Sequence, residues 1–215
     1  VTADLLNLST SRLIKGRTLK AAEMKVVAST NSVEISGPGS LDGVPFEGRW
    51  QQPIGAGAAD STLRGTAQIT PRALAAFNIA LPDGMLTGST NANIGIDFIR
   101  GQSPRMTLRS DLQGATLAIP QLGWRKSSGA RGALAMDIRL GANPAVTAIS
   151  LSGAGLSAKG NISLAKSGGL DVLEVDSLKV GDWLEVRAAL VGQGAGRAPQ
   201  VVVRGGLLDL RRAQF

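Results

Sequence analysis

The dominant pattern along the chain has a period of two. Leu134, Met136, Ile138 and Leu140 alternate with Ala133, Ala135, Asp137 and Arg139. Met106, Leu108 and Leu112 alternate with Arg105, Thr107, Arg109 and Asp111, and Leu63, Ala67 and Ile69 alternate with Thr62, Arg64, Thr66 and Gln68. Ile94, Ile96 and Phe98 alternate with Asn93, Gly95 and Asp97, and Leu184, Val186, Ala188 and Leu190 with Glu185, Arg187 and Ala189. Successive side chains of a strand point to opposite faces, so the pattern predicts antiparallel strands with one apolar and one wet face.

Turn signals such as Leu41-Asp42-Gly43, Gly101 to Pro104, Gly141 to Pro144 and Ser167-Gly168-Gly169 separate these runs. Strands are expected near 19–28, 32–40, 44–52, 62–70, 85–98, 105–112, 114–119, 131–141, 145–152, 156–165, 170–179, 183–191 and 200–208. One short helix interrupts them near 71–78, where Thr70 suits a cap, Pro71 suits the first helical position, and Arg72 to Phe77 favours a helix. Residues 1–14 fit a strand or a marginal helix, because Leu5, Leu6, Leu8, Leu13 and Ile14 satisfy either period. Val33 to Gly39 echoes Ile149 to Gly155, which leaves open a reused hairpin unit or a chance likeness of Gly-rich hairpins.

Composition removes whole classes of chemistry. The 215 residues include no His, Cys or Tyr. Histidine-based triads, imidazole zinc sites, thiolate ligands and disulfides are therefore excluded, and an enzyme is not expected. The formal charge of +7 raises a nucleic-acid partner. Most cations stand singly, however, as at Arg49, Arg64, Arg105, Arg109, Arg139, Lys159 and Arg187. The small clusters, Lys15 to Lys25, Arg125-Lys126 and Arg211-Arg212, carry no interleaved aromatics, so they read as solvated charge and no nucleic-acid partner is expected. Neither a dinucleotide fingerprint nor a Walker loop is completed, since Gly43 to Gly48 runs into Arg49-Trp50. Glu174 and Asp176 share a strand face within the acidic stretch Asp171 to Glu185, where a carboxylate site competes with an ordinary wet face. No metal or cofactor is expected. Trp50, Trp124 and Trp183 sit near strand ends or turns, as packing at the edge of a small-residue core or as a lipid-boundary belt.

The aliphatic faces are the informative feature. The residues expected to line them are Leu63, Ile69, Ile94, Ile96, Phe98, Met106, Leu108, Leu134, Met136, Ile138, Leu140, Leu184, Val186 and Leu190. Two sheets closed on one another would bury such faces, whereas an open curved sheet would leave an apolar groove. Periodicity alone does not choose between the two.

The stretch from about Leu108 to Arg211 resembles the AsmA-like superfamily of Gram-negative envelope proteins, in its YhdP branch. The likeness is carried by Asp111-Leu112-Gln113-Gly114-Ala115-Thr116-Leu117-Ala118-Ile119-Pro120, Leu122-Gly123-Trp124-Arg125-Lys126, Leu151 to Gly160, Leu178-Lys179-Val180-Gly181 and Gly205-Gly206-Leu207-Leu208-Asp209-Leu210-Arg211. Leu41 to Phe46 and the Thr70-Pro71 insertion are similar in the first half. The resemblance implies one internal all-β segment over 1–215, with sub-repeats near 19–100 and 105–210. Its fold would be a long antiparallel curved sheet forming an apolar, taco-like groove. It further implies a periplasmic protein tethered to the inner membrane by an anchor outside these residues. Phospholipid acyl chains would be its cargo, and the inner and outer membranes and envelope proteins its partners. Two rival functions are a TamB-like assembly factor for outer-membrane proteins and a structural β-sandwich module.

Overall fold

A computed structural model describes residues 1–11, 17–58, 60–77, 79, 81–165, 169–194, 197–209 and 211. Leu13, Ile14, Lys15, Ser167, Gly168, Leu210 and Arg212 lie outside the described residues. The chain is mostly antiparallel β. Its strands are β1 (Thr2–Thr10), β2 (Leu19–Ala28), β3 (Ser32–Leu41), β4 (Val44–Pro53), β5 (Ser61–Ile69), β6 (Leu86–Gly88), β7 (Thr90–Phe98) and β8 (Arg105–Ser110). They continue as β9 (Ala115–Ile119), β10 (Trp124–Lys126), β11 (Ala133–Arg139), β12 (Ala145–Gly153), β13 (Leu156–Leu164), β14 (Leu170–Val180), β15 (Leu184–Val191) and β16 (Gln200–Leu208). Thirteen of them form one sheet in unbroken chain order, from which β6, β9 and β10 leave to make a small three-stranded sheet. β1 and β16 are the two edges of the large sheet, which is open.

Two departures from the periodicity create that small sheet. The run expected as one strand over 85–98 breaks at Gly88, whose φ is +79°, so β6 pairs with β9 while β7 rejoins the large sheet. The strand expected through residue 112 stops at Ser110, because Leu112 turns inward with φ +58°. β10 was not expected at all, being three residues long. The described part of residues 1–14 forms a strand over Thr2–Thr10.

All links between large-sheet strands lie at one of two ends. The end holding Ser110, Gly153, Val180 and Leu208 also carries the two insertions, 70–89 and 111–132. The opposite end, holding Pro53, Phe98, Arg139 and Val191, has only short connections. The helix α1 (Pro71–Ala76) lies in the first insertion, where Thr70 Oγ1 accepts the Ala73 N–H at 3.0 Å. Arg17 ties this corner together: its guanidinium donates to Asp42 Oδ2 at 2.8 Å and to the Ala76 carbonyl, and lies 4.7 Å from the Phe77 ring centre.

Mid-strand irregularities fall in a row. The ladder slips by one residue at Thr147 in β12, at Asp176 in β14 and at Arg204 in β16. Bulges of this kind bend a strand and increase its twist. In β13, which lies between the first two, Gly160 comes so close to β14 that a Cβ would stand 2.0 Å from the Glu174 carbonyl oxygen. The Val33 to Gly39 and Ile149 to Gly155 echo does not mark equivalent places: Gly37 pairs with Gly48 in mid-strand, whereas Gly153 ends β12.

Candidate functional site

The strand register gathers the aliphatic residues on one face. One row of direct cross-strand partners runs Trp50, Leu63, Ile96, Met106, Ile138, Val146, Ile162, Leu173, Leu190 and Val201. A second runs Ile94, Leu108, Met136, Ile149, Gly160, Val175, Ala188 and Val203. A third runs Leu134, Leu151, Ala158, Leu178 and Val186. Ile69 and Phe98 lie on the same face at the two ends of the β5–β7 pair. Leu140 follows Ile138 by alternation, its N–H donating to the Pro104 carbonyl at 2.8 Å.

This face is covered at one end only. Trp124 of the small sheet packs in a buried cluster with Leu156, Val180, Trp183 and Leu184, against which Leu151, Leu178 and Val186 also lie. Leu184 and Val186 therefore belong to the floor beneath this cap, and Leu184 is the only one of the fourteen expected lining residues that is buried. The rows of Met106 and Leu108 contribute nothing to the buried cluster; most of their members are half-buried, Gly160 and Ala188 are buried, and Val201 and Val203 at the open edge are exposed. The exposed area agrees. The chain presents 13509 Å² to solvent, where a compact monomer of its 22.1 kDa presents about 9,300 Å². A second sheet of three strands is too small to close a thirteen-stranded face into a sandwich.

The opposite face is polar and cross-linked by ion pairs. Arg64 and Arg109 make the same three-point clamp. Arg64 donates to the Leu63 and Ile96 carbonyls at 3.0 and 3.2 Å and to Asp97 Oδ1 at 2.6 Å. Arg109 donates to the Leu108 and Met136 carbonyls at 2.9 and 2.7 Å and to Asp137 Oδ1 at 2.7 Å. Two residues of the acidic stretch are ion-paired, Glu174 with Arg204 at 2.7 Å and Glu185 with Lys179 at 2.9 Å, while Asp176 sits at the slip in the β14 ladder. Two shallow concavities of about 500 and 480 Å³ open among Asn91, Asn93 and Asp111, and among Lys25, Glu47 and Arg49. Their linings are polar, so neither is a place for an apolar ligand.

Two of the three tryptophans are packing residues. Trp124 and Trp183 are buried, and Trp124 Nε1 donates to the Ala154 carbonyl at 2.9 Å, while Trp50 stays half-buried at the head of the first row. Lys126 departs from its expected role as solvated charge. It is fully buried in the cap, and its Nζ donates to the carbonyls of Leu112, Ala115 and Ser127 at 2.7, 2.9 and 3.0 Å. Burial pushes this ammonium below the ordinary lysine range, with Asp111 pulling the other way. Arg125, one residue earlier, points to solvent because alternate residues of a strand face opposite ways.

Among the described residues no cluster of acidic side chains could hold a metal ion, and no helix is long and apolar enough to cross a membrane. Comparisons with protein-family models, with curated proteins and with solved structures return no match.

Proposed function

We propose that this chain is a non-enzymatic β segment that carries phospholipid acyl chains along its uncovered apolar face. The observation that carries the reading is the unbroken row from Trp50 to Val201, ten strands wide and free of the cap. The row of bulges at Thr147, Asp176 and Arg204 runs in the same direction, which favours a trough crossing the strands rather than following them. At ~4.8 Å per strand, the ten strands of this row give the trough a length of about 45 Å. Each methylene taken from water contributes about 0.8 kcal/mol, so a two-tailed lipid strongly favours this surface. A uniform aliphatic lining offers many equivalent places and no single tight one, as sliding requires. The resemblance to AsmA-like proteins favours a setting in the Gram-negative periplasm, between inner and outer membranes, with an anchor outside these residues.

Native mass spectrometry of the chain purified under mild conditions tests this reading. Adducts with the masses of diacyl phospholipids, lost in a variant carrying Met136→Glu, support it. A clean apo spectrum after incubation with phospholipid vesicles contradicts it.

A second reading has an observation of its own. The edge strand β16 exposes Val201 and Val203 at 62% and 64%, an unpaired apolar template that suits strand pairing with a client protein, as an outer-membrane assembly factor requires. Capture of an unfolded outer-membrane strand on β16, with no lipid bound, would favour it.

A further inference from the structure

We infer that the indole N–H of Trp50 donates a hydrogen bond to the ester carbonyl of a bound diacyl lipid and so registers the lipid on the uncovered face; this deepens the lipid-carrying reading and rests on it. On β4 the residues Phe46, Gly48 and Trp50 are half-buried, while Pro45, Glu47, Arg49 and Gln51 are exposed, so alternation puts Trp50 on the apolar face. The register agrees, since its direct partners are Ile35 on β3 and Leu63 on β5. No other member of the three cross-strand rows on that face carries a side-chain N–H or O–H. The backbone amides of inner strands are committed to the ladders on either side. Trp50 Nε1 is therefore the one hydrogen-bond donor those rows offer to a ligand. It is also unused. Trp124 Nε1 gives its hydrogen to the Ala154 carbonyl at 2.9 Å, whereas Trp50 Nε1 makes no hydrogen bond among the described residues. Among these residues no buried side-chain nitrogen or oxygen lacks a partner, so this N–H is open to the outside.

A diacyl lipid brings the matching acceptor. Its chains offer only methylenes, and the polar atoms that follow them onto an apolar surface are the ester carbonyls. A carbonyl drawn from water without a donor costs free energy. Indole joins a large apolar ring to a single donor, which suits it to the boundary between hydrocarbon and polar groups. The position fits as well. Trp50 lies close to Pro53, the uncapped end of β4. A lipid registered there keeps its headgroup toward the open rim and its chains on the rows of Leu63 and Ile94, away from the cap around Trp124.

Two fluorescent phosphatidylglycerols that differ only in linkage, diacyl ester and dialkyl ether, separate the donor from the apolar area, because the ether lacks the carbonyl. The intact wild type is expected to hold the ester about fivefold more tightly, the scale of one neutral hydrogen bond. W50F, which keeps a ring and removes the N–H, is expected to bind the two equally. L173A, which removes apolar area from the same row far from Trp50, is expected to weaken both alike and keep the preference. Equal binding of ester and ether by the wild type, a preference that survives in W50F, or one that L173A loses equally overturns the assignment. Failure of the wild type to bind either lipid overturns the lipid-carrying reading itself. A second measurement needs no substitution. Ester phosphatidylglycerol brominated near its carbonyls is expected to quench tryptophan emission more than the same lipid brominated near its chain ends, through Trp50, since Trp124 and Trp183 are buried in the cap. The reverse order overturns the assignment too.

Discussion

Gly160 and Glu174 stand so close across the β13–β14 pair that a Cβ on Gly160 would lie 2.0 Å from the Glu174 carbonyl oxygen. The contact is with backbone, which has no rotamer to give. Gly160→Ala is therefore expected to cost about 2 kcal/mol or more in urea denaturation, the scale of an overpacked site. An unchanged midpoint would mean that the strands separate freely there.

Arg17 and Asp42 give a pH signature. The Thr18 N–H, at 2.8 Å from Asp42 Oδ1, and then the Arg17 guanidinium hold this carboxyl below its ordinary value of 3.8, against a smaller opposing effect of burial. A group lowered in the folded state contributes stability above its unfolded value and loses it as pH falls through the folded one. The wild type is thus expected to lose stability relative to Asp42→Asn as pH drops below about 3.8. Parallel thermal-melting curves for the two proteins from pH 6 to pH 2.5 would contradict the assignment.

Lys126 is fully buried and has three carbonyl acceptors. Lys126→Met strands those carbonyls and releases the left-handed backbone at Leu112. A loss of about 2–3 kcal/mol is expected from unsatisfied buried acceptors. Hydrogen exchange should locate it in residues 111–132 and leave β2 to β5 protected. Uniformly faster exchange would show that the cap and the large sheet unfold as one.

The open edge of β16 carries Val203 at 64% exposure. A charge on an edge strand opposes pairing with another chain. Val203→Lys is expected to reduce concentration-dependent association in sedimentation velocity while leaving the circular dichroism spectrum intact. Association unaffected by the change would exclude β16 as the sticky edge.

Much of the large sheet was legible because turn signals bound its strands: β2 and β16 span the residues expected of them, 19–28 and 200–208. The apolar face was legible because Leu63, Ile96, Met106 and Ile138 each satisfy the local pattern before the register joins them. What covers that face was not legible. The cap forms because Leu112 and Gly88 take positive φ, and it packs Trp124 against Leu156, Val180 and Leu184, residues brought near only by long-range register. Lys126 was misread because residue type argues for solvent, and only its two-residue spacing from Trp124 hinted that both face inward. β1 was ambiguous because an edge strand with Leu5 and Leu6 both exposed has no buried side to mark its period.

The most direct measurement places a photo-crosslinking amino acid at Leu108, in the centre of the uncovered face, and exposes the chain to phospholipid vesicles with and without Ile138→Asp. Light-dependent lipid adducts are expected at Leu108, and they should vanish in the Ile138→Asp background while the circular dichroism spectrum and melting transition persist. Unfolding by Ile138→Asp, or a folded wild type that gives no lipid adduct at Leu108, would show that this face is a protein core and not a surface for lipid.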